Sequence, residues 1–288
     1  MSWIPEALST AFFARALLGG TLVAAICGVV GTWVVIRGMA FLGEAIGHGM
    51  LPGVAVATLL GVPPIAGGAV TAITMSALIS ALRHRGKLSY DTSIGLIFVA
   101  MLALGVIIVS HSGSFASDAS ALLFGDILAI SPSDLALLAI AAALAFGVAA
   151  LGHRSFIAVA FDPRIAQTLG YRPAIAQAAL VGLVTIAVVA SYQAVGTLLV
   201  VALLLGPAVA AAPWSDRIPR RMVLAAGIGA IAVALGLAAS WHWGTAAGST
   251  IAAAAVVLAG LSSAARRLLR FPTPARGSSH SIVTERNE

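Results

Sequence analysis

Long apolar runs separated by short polar loops make up nearly the whole chain. A helix crosses a bilayer with about 20 apolar residues, and the alternation of apolar and polar positions typical of strands is absent. The pattern predicts nine spans, or eight if one weak run does not cross: 11–36, 41–60, 65–82, 93–110, 134–151, 174–191, 195–212, 222–241 and 246–265. We therefore expect an all-α integral membrane protein, a polytopic helical bundle forming one transmembrane domain over 1–270.

Two stretches depart from this pattern. Residues 120–130 form an apolar run that is too short to cross and lies between spans whose facing ends are both outside. This placement predicts a short re-entrant or outer-leaflet helix, which has to be buried in protein or line a cavity. The tail 271–288 is rich in Pro, Ser, Arg and Gly, so we expect a disordered cytoplasmic segment.

Positive charges mark one side of the membrane. The chain is 60% hydrophobic and 9% charged, whereas soluble domains carry about 25% charged residues. The net charge of +6 comes from arginines in alternate loops, which indicates orientation and not nucleic-acid binding. The clusters are Arg37; Arg83, Arg85 and Lys87; Arg154, Arg164 and Arg172; Arg217, Arg220 and Arg221; and Arg266, Arg267 and Arg270. They predict an outside N-terminus, an inside C-terminus and an outer aromatic belt at Trp241 and Trp243.

The single cysteine, Cys27, lies in an apolar run, which favours a packing role for its side chain.

Glu44 and His48 lie four residues apart in the otherwise apolar run 40–60. On a helix they share one face, and ionisable groups at membrane depth usually mark an ion or substrate path. A helix–helix hydrogen bond is the structural alternative. Carboxylate and imidazole suit Zn²⁺, Mn²⁺ or Fe²⁺. Two ligands are too few for a complete site, but a two-fold dimer would bring two of each to one axis.

Small residues surround this pair. Glycines recur at i+4 spacing and permit close helix approach; they are Gly43 with Gly47 and Gly49 with Gly53. Pro52 is expected to kink the helix just past His48, because proline removes a backbone donor.

Four other polar residues allow structural interpretations as well as functional ones. Asp91 is placed to cap the following helix. Asp126 stands in an apolar stretch where nothing local explains it, so a place on the path and a structural hydrogen bond both remain open. His111 and Asp118 lie near an outer loop and fit ordinary surface positions.

The loop 155–172 contains a predicted short helix on the arginine-rich side. Asp162 is its N-cap, Pro163 its first helical residue and Gly170 its stop. Its apolar set is Ile165, Ala166 and Leu169. Such a helix suits docking of a soluble partner, and an interfacial helix lying on lipid is the alternative.

Five segments together closely resemble the permease subunits of the zinc, manganese and iron(II) ABC importers, the ABC-3 family. They are 33–39 (WVVIRGM) running into 43–48 (GEAIGH) and 52–54 (PGV); 91–95 (DTSIG); 123–134 (LFGDILAISPSD); 162–166 (DPRIA) with Gly170; and 195–207 (VGTLLVVALLLGP). The third is specific, and the others are convincing in combination. One departure is Gly47, where many relatives have Ala.

The resemblance implies the helical bundle of a type II ABC importer permease in a bacterial cytoplasmic membrane. It implies that Glu44 and His48 lie on the translocation path, leaves the role of Asp126 open, and makes 162–170 the coupling helix. It also implies three partners: a cytoplasmic ABC ATPase, an extracytoplasmic metal-binding protein and a second permease copy. No cofactor is expected on this chain itself.

The chain lacks a Gly-x-x-x-x-Gly-Lys-[Ser/Thr] loop, so ATP is expected on a separate subunit and this chain is not expected to be an enzyme. A gradient-driven metal transporter is the main alternative, although it would need coupling-ion sites and the second half has no counterpart of the Glu/His pair. An intramembrane protease would want His-Glu-x-x-His or an activated serine. Between metals the ligand types do not decide; zinc is preferred here, with manganese next.

Overall fold

The computed structural model describes residues 10–85, 89–111 and 125–269, so predictions for Lys87, Asp118, 120–124 and 271–288 lie outside it. Its α-helices are α1 Ala11–Ile36, α2 Ala40–Gly49, α3 Leu51–Leu59, α4 Pro64–Arg85, α5 Tyr90–His111, α6 Pro132–Phe161, α7 Pro163–Thr168, α8 Pro173–Val195, α9 Thr197–Ala211, α10 Ile218–Trp243 and α11 Ala247–Leu269. Within the described ranges, nine helical segments are long and apolar enough to span a membrane, α2 and α3 together counting as one. For the described residues the prediction of an all-helical polytopic protein is confirmed, and the count is the predicted nine and not the alternative eight.

Helix α1 lies at the centre of the bundle, where it packs against α10, α9 and α6. Of its most apolar window, 67% is buried, against 22% for each of α4, α5 and α11. Trp33 is fully buried, and its ring meets Phe156 edge to face with the centroids 5.4 Å apart. The peripheral helices therefore leave broad apolar faces for lipid or for a protein partner.

Small residues allow α1 and α9 to approach closely. A Cβ on Gly31 would lie 1.9 Å from the carbonyl oxygen of Leu204, so a larger residue there would force the helices apart. Cys27 is fully buried in the same contact, with its sulfur 4.0 Å from the carbonyl oxygen of Val200. This matches the packing role predicted for the cysteine.

The span that carries Glu44 and His48 is interrupted, as Pro52 predicts. Helix α2 ends at Gly49, Met50 joins the two pieces, and α3 begins at Leu51 with Pro52 in its first turn. Since proline has no N–H, the backbone bond that would close on the carbonyl of His48 cannot form. The break therefore falls at Met50, two residues after His48.

Residues 125–130 sit against the N-terminal half of α1. They contain one turn of 3₁₀ helix, Ile127–Ala129, with Ile127 and Ile130 buried. A Cβ on Gly19 of α1 would lie 2.5 Å from Cδ1 of Ile130, so the glycine makes room for this segment. The described part of the predicted re-entrant piece is thus only partly buried: Ile127 and Ile130 face the protein, while Asp126, Leu128 and Ala129 are exposed.

The residues that cap the N-termini of α5 and α6 were not predicted from the sequence. The N–H of Thr92 donates to the hydroxyl oxygen of Ser89 at 3.1 Å, so Ser89 caps α5 and Asp91 lies inside its first turn. The capping prediction for Asp91 was therefore wrong; a carboxylate in the first turn still favours the helix dipole. Helix α6 begins with a capping box between Ser131 and Asp134, whose signal in the sequence is Ser-x-x-Asp.

Candidate metal path and docking segment

The faces of the helix formed by α2 and α3 have different neighbours. Towards α9, a Cβ on Gly43 would lie 2.6 Å from Leu204. Towards α4, a Cβ on Gly53 would lie 2.1 Å from the carbonyl oxygen of Gly67. Both predicted glycine pairs thus mark close helix contacts.

The remaining face of α2 carries Phe41, Glu44 and His48. Phe41 and Glu44 are exposed and His48 is half-buried. The two ionisable groups share this face because they are one helical turn apart. Helix α2 is therefore held on its small-residue faces while its polar face stays open.

Phe98 of α5 forms one wall of this open face. Its ring meets His48 at a centroid distance of 6.2 Å and Phe41 at 5.3 Å, both edge to face. Such aromatic pairs favour a defined ring orientation. Phe98 was not predicted from the sequence, where it is one apolar residue among many in the run 93–110.

Glu44 makes no hydrogen bond or ion pair with any residue in the ranges the structure describes. Within those ranges no group of three or more His, Cys, Asp or Glu side chains lies together. One chain thus offers a carboxylate and an imidazole on an open face. A carboxylate facing lipid is costly, so this face requires a cover.

Asp126 has a local explanation. Its carboxylate accepts a hydrogen bond from the N–H of Leu128 at 3.0 Å and so caps the 3₁₀ turn Ile127–Ala129. This is the structural interpretation that the sequence left open beside a place on the path. The path role stays a prediction.

Helix α7 begins and ends where the sequence predicts. The carboxylate of Asp162 accepts from the N–H of Arg164 at 2.6 Å, and Pro163 is the first helical residue. At the end Gly170 adopts φ +82°, and the N–H of Tyr171 donates to the carbonyl of Ala166 at 3.0 Å. This is the Schellman arrangement, in which glycine relieves the left-handed strain.

The apolar residues of this segment do not share one surface. Ala166 is fully buried within the chain itself, so its predicted role as a docking contact was wrong: it anchors α7 to the bundle. Ile165 is 56% exposed and Leu169 64%, and Phe161 at the end of α6 is 86% exposed. We call Phe161, Ile165 and Leu169 the docking patch. Phe161 was missed because the predicted span ended at 151, whereas α6 continues through the apolar run 155–161.

Arg37 has contacts that the sequence did not suggest. Its guanidinium donates to the carbonyl oxygen of Val159 at 2.5 Å and to the side-chain oxygen of Gln177. The amide of Gln177 in turn donates to the sulfur of Met39 at 3.5 Å. Gln177 is the polar residue near the start of the apolar span 174–191, which is the one signal that could have singled it out.

Comparison with known proteins identifies the family of this chain. The model of the ABC 3 transport family matches residues 9–266. The chain is 31% identical over 258 residues to the manganese transport system membrane protein MntC of Listeria monocytogenes, covering 90% of this chain and 92% of that protein. It is 30% identical to the chelated iron transport system membrane protein YfeD of Yersinia pestis, covering 87% and 84%. A solved structure titled PsaBC from Streptococcus pneumoniae in complex with Fab matches with a TM-score of 0.79 and 30% identity, covering 91% and 94%.

The chain belongs to the ABC 3 transport family, and it is a membrane permease of a metal-ion ABC importer. The nine apolar helical segments of the described ranges and this membership make it a multi-pass protein of the bacterial cytoplasmic membrane.

Proposed function

We propose that this chain forms the path for a divalent transition metal entering the cytoplasm, with Glu44 and His48 as its ligands. The observation that carries the proposal is the open face of α2, where an unpaired carboxylate and a half-buried imidazole stand one turn apart in a candidate membrane span. Pro52 adds a second element, since the carbonyl of His48 cannot receive the usual helical bond. A carbonyl oxygen beside an imidazole is a further ligand of a kind that suits Mn²⁺.

Manganese is the first metal to test. Carboxylate and carbonyl oxygens suit Mn²⁺, while imidazole also suits Zn²⁺ and Fe²⁺. The sequence led us to prefer zinc, yet the similar proteins described above carry manganese and iron in their names. We therefore place Mn²⁺ before Fe²⁺ and Zn²⁺.

A second copy of the chain covers the open face in this proposal. Two copies related by a two-fold axis would place two carboxylates and two imidazoles together, enough for four-coordination. The metal would then neutralise the carboxylates that otherwise oppose burial.

Energy comes from a separate ABC ATPase that binds the docking patch, and metal arrives from an extracytoplasmic binding protein. Phe161, Ile165 and Leu169 are apolar and exposed at a loop on the arginine-rich side. Exposed apolar clusters of this kind typically mark protein contacts.

Vesicles that hold the complex, purified through a tag on this chain with its ATPase, provide the test. We expect Mn²⁺ uptake from the loaded binding protein only when ATP is present on the ATPase side, with Fe²⁺ and Zn²⁺ measured in parallel. Uptake that a proton or sodium gradient drives without ATP would instead favour the secondary transporter. Faster uptake of Zn²⁺ than of Mn²⁺ would instead agree with the metal preference expected from the sequence, zinc first and manganese next.

Cross-linking tests the second copy. Phe41→Cys places a thiol on the open face, and Leu261→Cys, on the exposed side of α11, is the matched control. Cys27 is fully buried and does not compete for reagent. We expect a short thiol cross-linker to join two chains through position 41 and not through 261; the reverse result would place the contact elsewhere.

A further inference from the structure

Arg37 stands at the meeting point of three elements. It follows the last residue of α1, and Gly38 and Met39 complete the turn into α2. The N–H of Gly38 bonds the carbonyl of Val35, and the N–H of Met39 bonds that of Val34, at 3.2 and 2.9 Å. With Gly38 at φ +63° this is a second Schellman arrangement. The N–H groups of Arg37, Gly38 and Met39 all donate to carbonyls of α1, so hydrogen bonds fix the conformation of this short turn.

The contact to α6 satisfies a carbonyl that the helix cannot satisfy itself. The carbonyl of Val159 would normally accept from the residue four positions on, but that residue is Pro163, which has no N–H. Val159 is only 2% exposed, so water does not replace the missing donor. The guanidinium of Arg37 supplies it at 2.5 Å, and its charge also favours the carbonyl end of the helix.

The contact to α8 lies on the other side of the docking segment. Gln177 is 9% exposed, stands in the first turns of α8 and accepts from Arg37. Its amide also reaches Met39, which is 1% exposed, so α8 is tied to the turn by two hydrogen bonds. Arg37 thus joins the α1–α2 turn to both flanks of α7: the end of α6 before it and the start of α8 after it.

We propose that Arg37 is a positioning residue that transmits movement of the docking segment to the helix bearing Glu44 and His48. This inference rests on the proposed function. Ile165 and Leu169 would receive the ATPase, Val159 and Gln177 would shift with α7, and Arg37 would carry the shift into α2. Glu44 follows Arg37 by seven residues along the same rigid turn and helix. The role of Arg37 is therefore to link the two sites and not to bind metal.

The test measures the amount of metal moved per ATP hydrolysed in vesicles that contain the complete complex. Arg37→Met removes the guanidinium at similar length, and Gln177→Met removes its acceptor at similar volume. Arg154→Met is the matched control, since Arg154 is exposed on α6 five residues before Val159. We expect the first two variants to keep hydrolysis within about twofold and to lose about tenfold in metal per ATP, a typical coupling between sites. Arg154→Met should match the unsubstituted chain.

Two further variants separate coupling from folding. Arg37→Lys keeps the positive charge and a donor group without the planar fork of arginine, and should recover part of the metal moved per ATP. Arg37→Met/Gln177→Met should be no worse than the more severe single variant, because both act on one link. An unchanged ratio in the Met variants would overturn the inference. So would a parallel fall in assembly, hydrolysis and uptake in all of them, which would make Arg37 a folding contact only. If the unsubstituted complex shows no ATP-driven uptake, the proposed function fails first and this inference with it.

Discussion

The open face of α2 and the docking patch expose side chains that do not suit their surroundings, and they do so in opposite senses. Glu44 presents an exposed carboxylate on a helical segment apolar enough to span a membrane. Phe161, Ile165 and Leu169 present apolar side chains at a loop on the arginine-rich, aqueous side. Each mismatch indicates a missing partner, but the partners must differ in kind.

The energies explain that difference. On insertion scales a charged side chain costs about 2.5–3.5 kcal/mol at the centre of a membrane helix. Glu44 lies one turn inside the span Ala40–Leu59, where the cost is smaller but of the same sign, so whatever covers it has to bring ligands, water or a cation. An exposed apolar side chain gains roughly 1.5–3 kcal/mol when it is fully buried, so the docking patch requires only a complementary surface. The partner that covers Glu44 must therefore supply polar groups or a cation, whereas the partner of the docking patch must supply a complementary apolar surface.

The largest expected effect comes from the α2 face. Glu44→Gln and His48→Ala should each lower metal uptake by more than about 100-fold, because a direct ligand matters at least as much as the supporting groups whose loss costs 10–100-fold. Assembly with the ATPase should be unaffected, since neither side chain touches the docking patch. ATP-driven uptake in vesicles and co-purification measure the two properties separately.

His242→Ala is the control for the imidazole, because His242 is exposed near the end of α10. It should transport normally. Near-normal uptake by both the Glu44 and the His48 variants would show that the pair has a structural role. The open face of α2 would then not require a partner that binds a charge.

The next effect concerns the docking patch. Ile165→Glu or Leu169→Glu should weaken ATPase binding on the order of 30-fold, since an unpaired charge is buried in the centre of an interface. Gln167→Glu is the matched control, because Gln167 lies in the same short helix, is also exposed and is already polar. Measuring the dissociation constant of the purified ATPase for each permease variant in nanodiscs gives the loss of affinity directly.

Ala166 separates docking from folding within the same helix. Ala166→Leu overpacks a fully buried position and should lower the unfolding free energy by about 1–3 kcal/mol, which thermal unfolding in detergent would record. Ile165→Glu should leave the unfolding temperature near that of the unsubstituted chain. If both variants unfold early, the patch is part of the fold and receives no ATPase.

The helices and most of their ends could be predicted from hydrophobic periodicity and from single residues, because both act locally. The break after His48 follows from Pro52, and the start and stop of α7 follow from Asp162 and Gly170. Such effects depend on a few neighbouring residues and are readable from the order of the chain.

Contacts between distant residues could not be predicted in this way. The division of α7 into a buried Ala166 and an exposed Ile165 depends on where α6 and α8 lie. The hydrogen bond from Arg37 to Val159 joins positions 122 residues apart. An apolar run also gives no sign of which phenylalanine faces the imidazole, and Phe98 emerged only from packing.

The smallest expected effect tests whether Asp126 belongs with Glu44 or stands apart from it. Its carboxylate caps a single 3₁₀ turn through the N–H of Leu128, and capping residues are worth about 1 kcal/mol. Asp126→Ala should therefore lower stability by about that amount. It should also leave metal uptake within about twofold, because a cap supports local structure and binds no metal. Asp126→Asn keeps an acceptor for the same N–H and should restore the stability. A loss of uptake comparable to that of Glu44→Gln in both variants, at normal stability, would instead put Asp126 on the metal path, and the polar face of α2 would then share its role with the segment packed against α1.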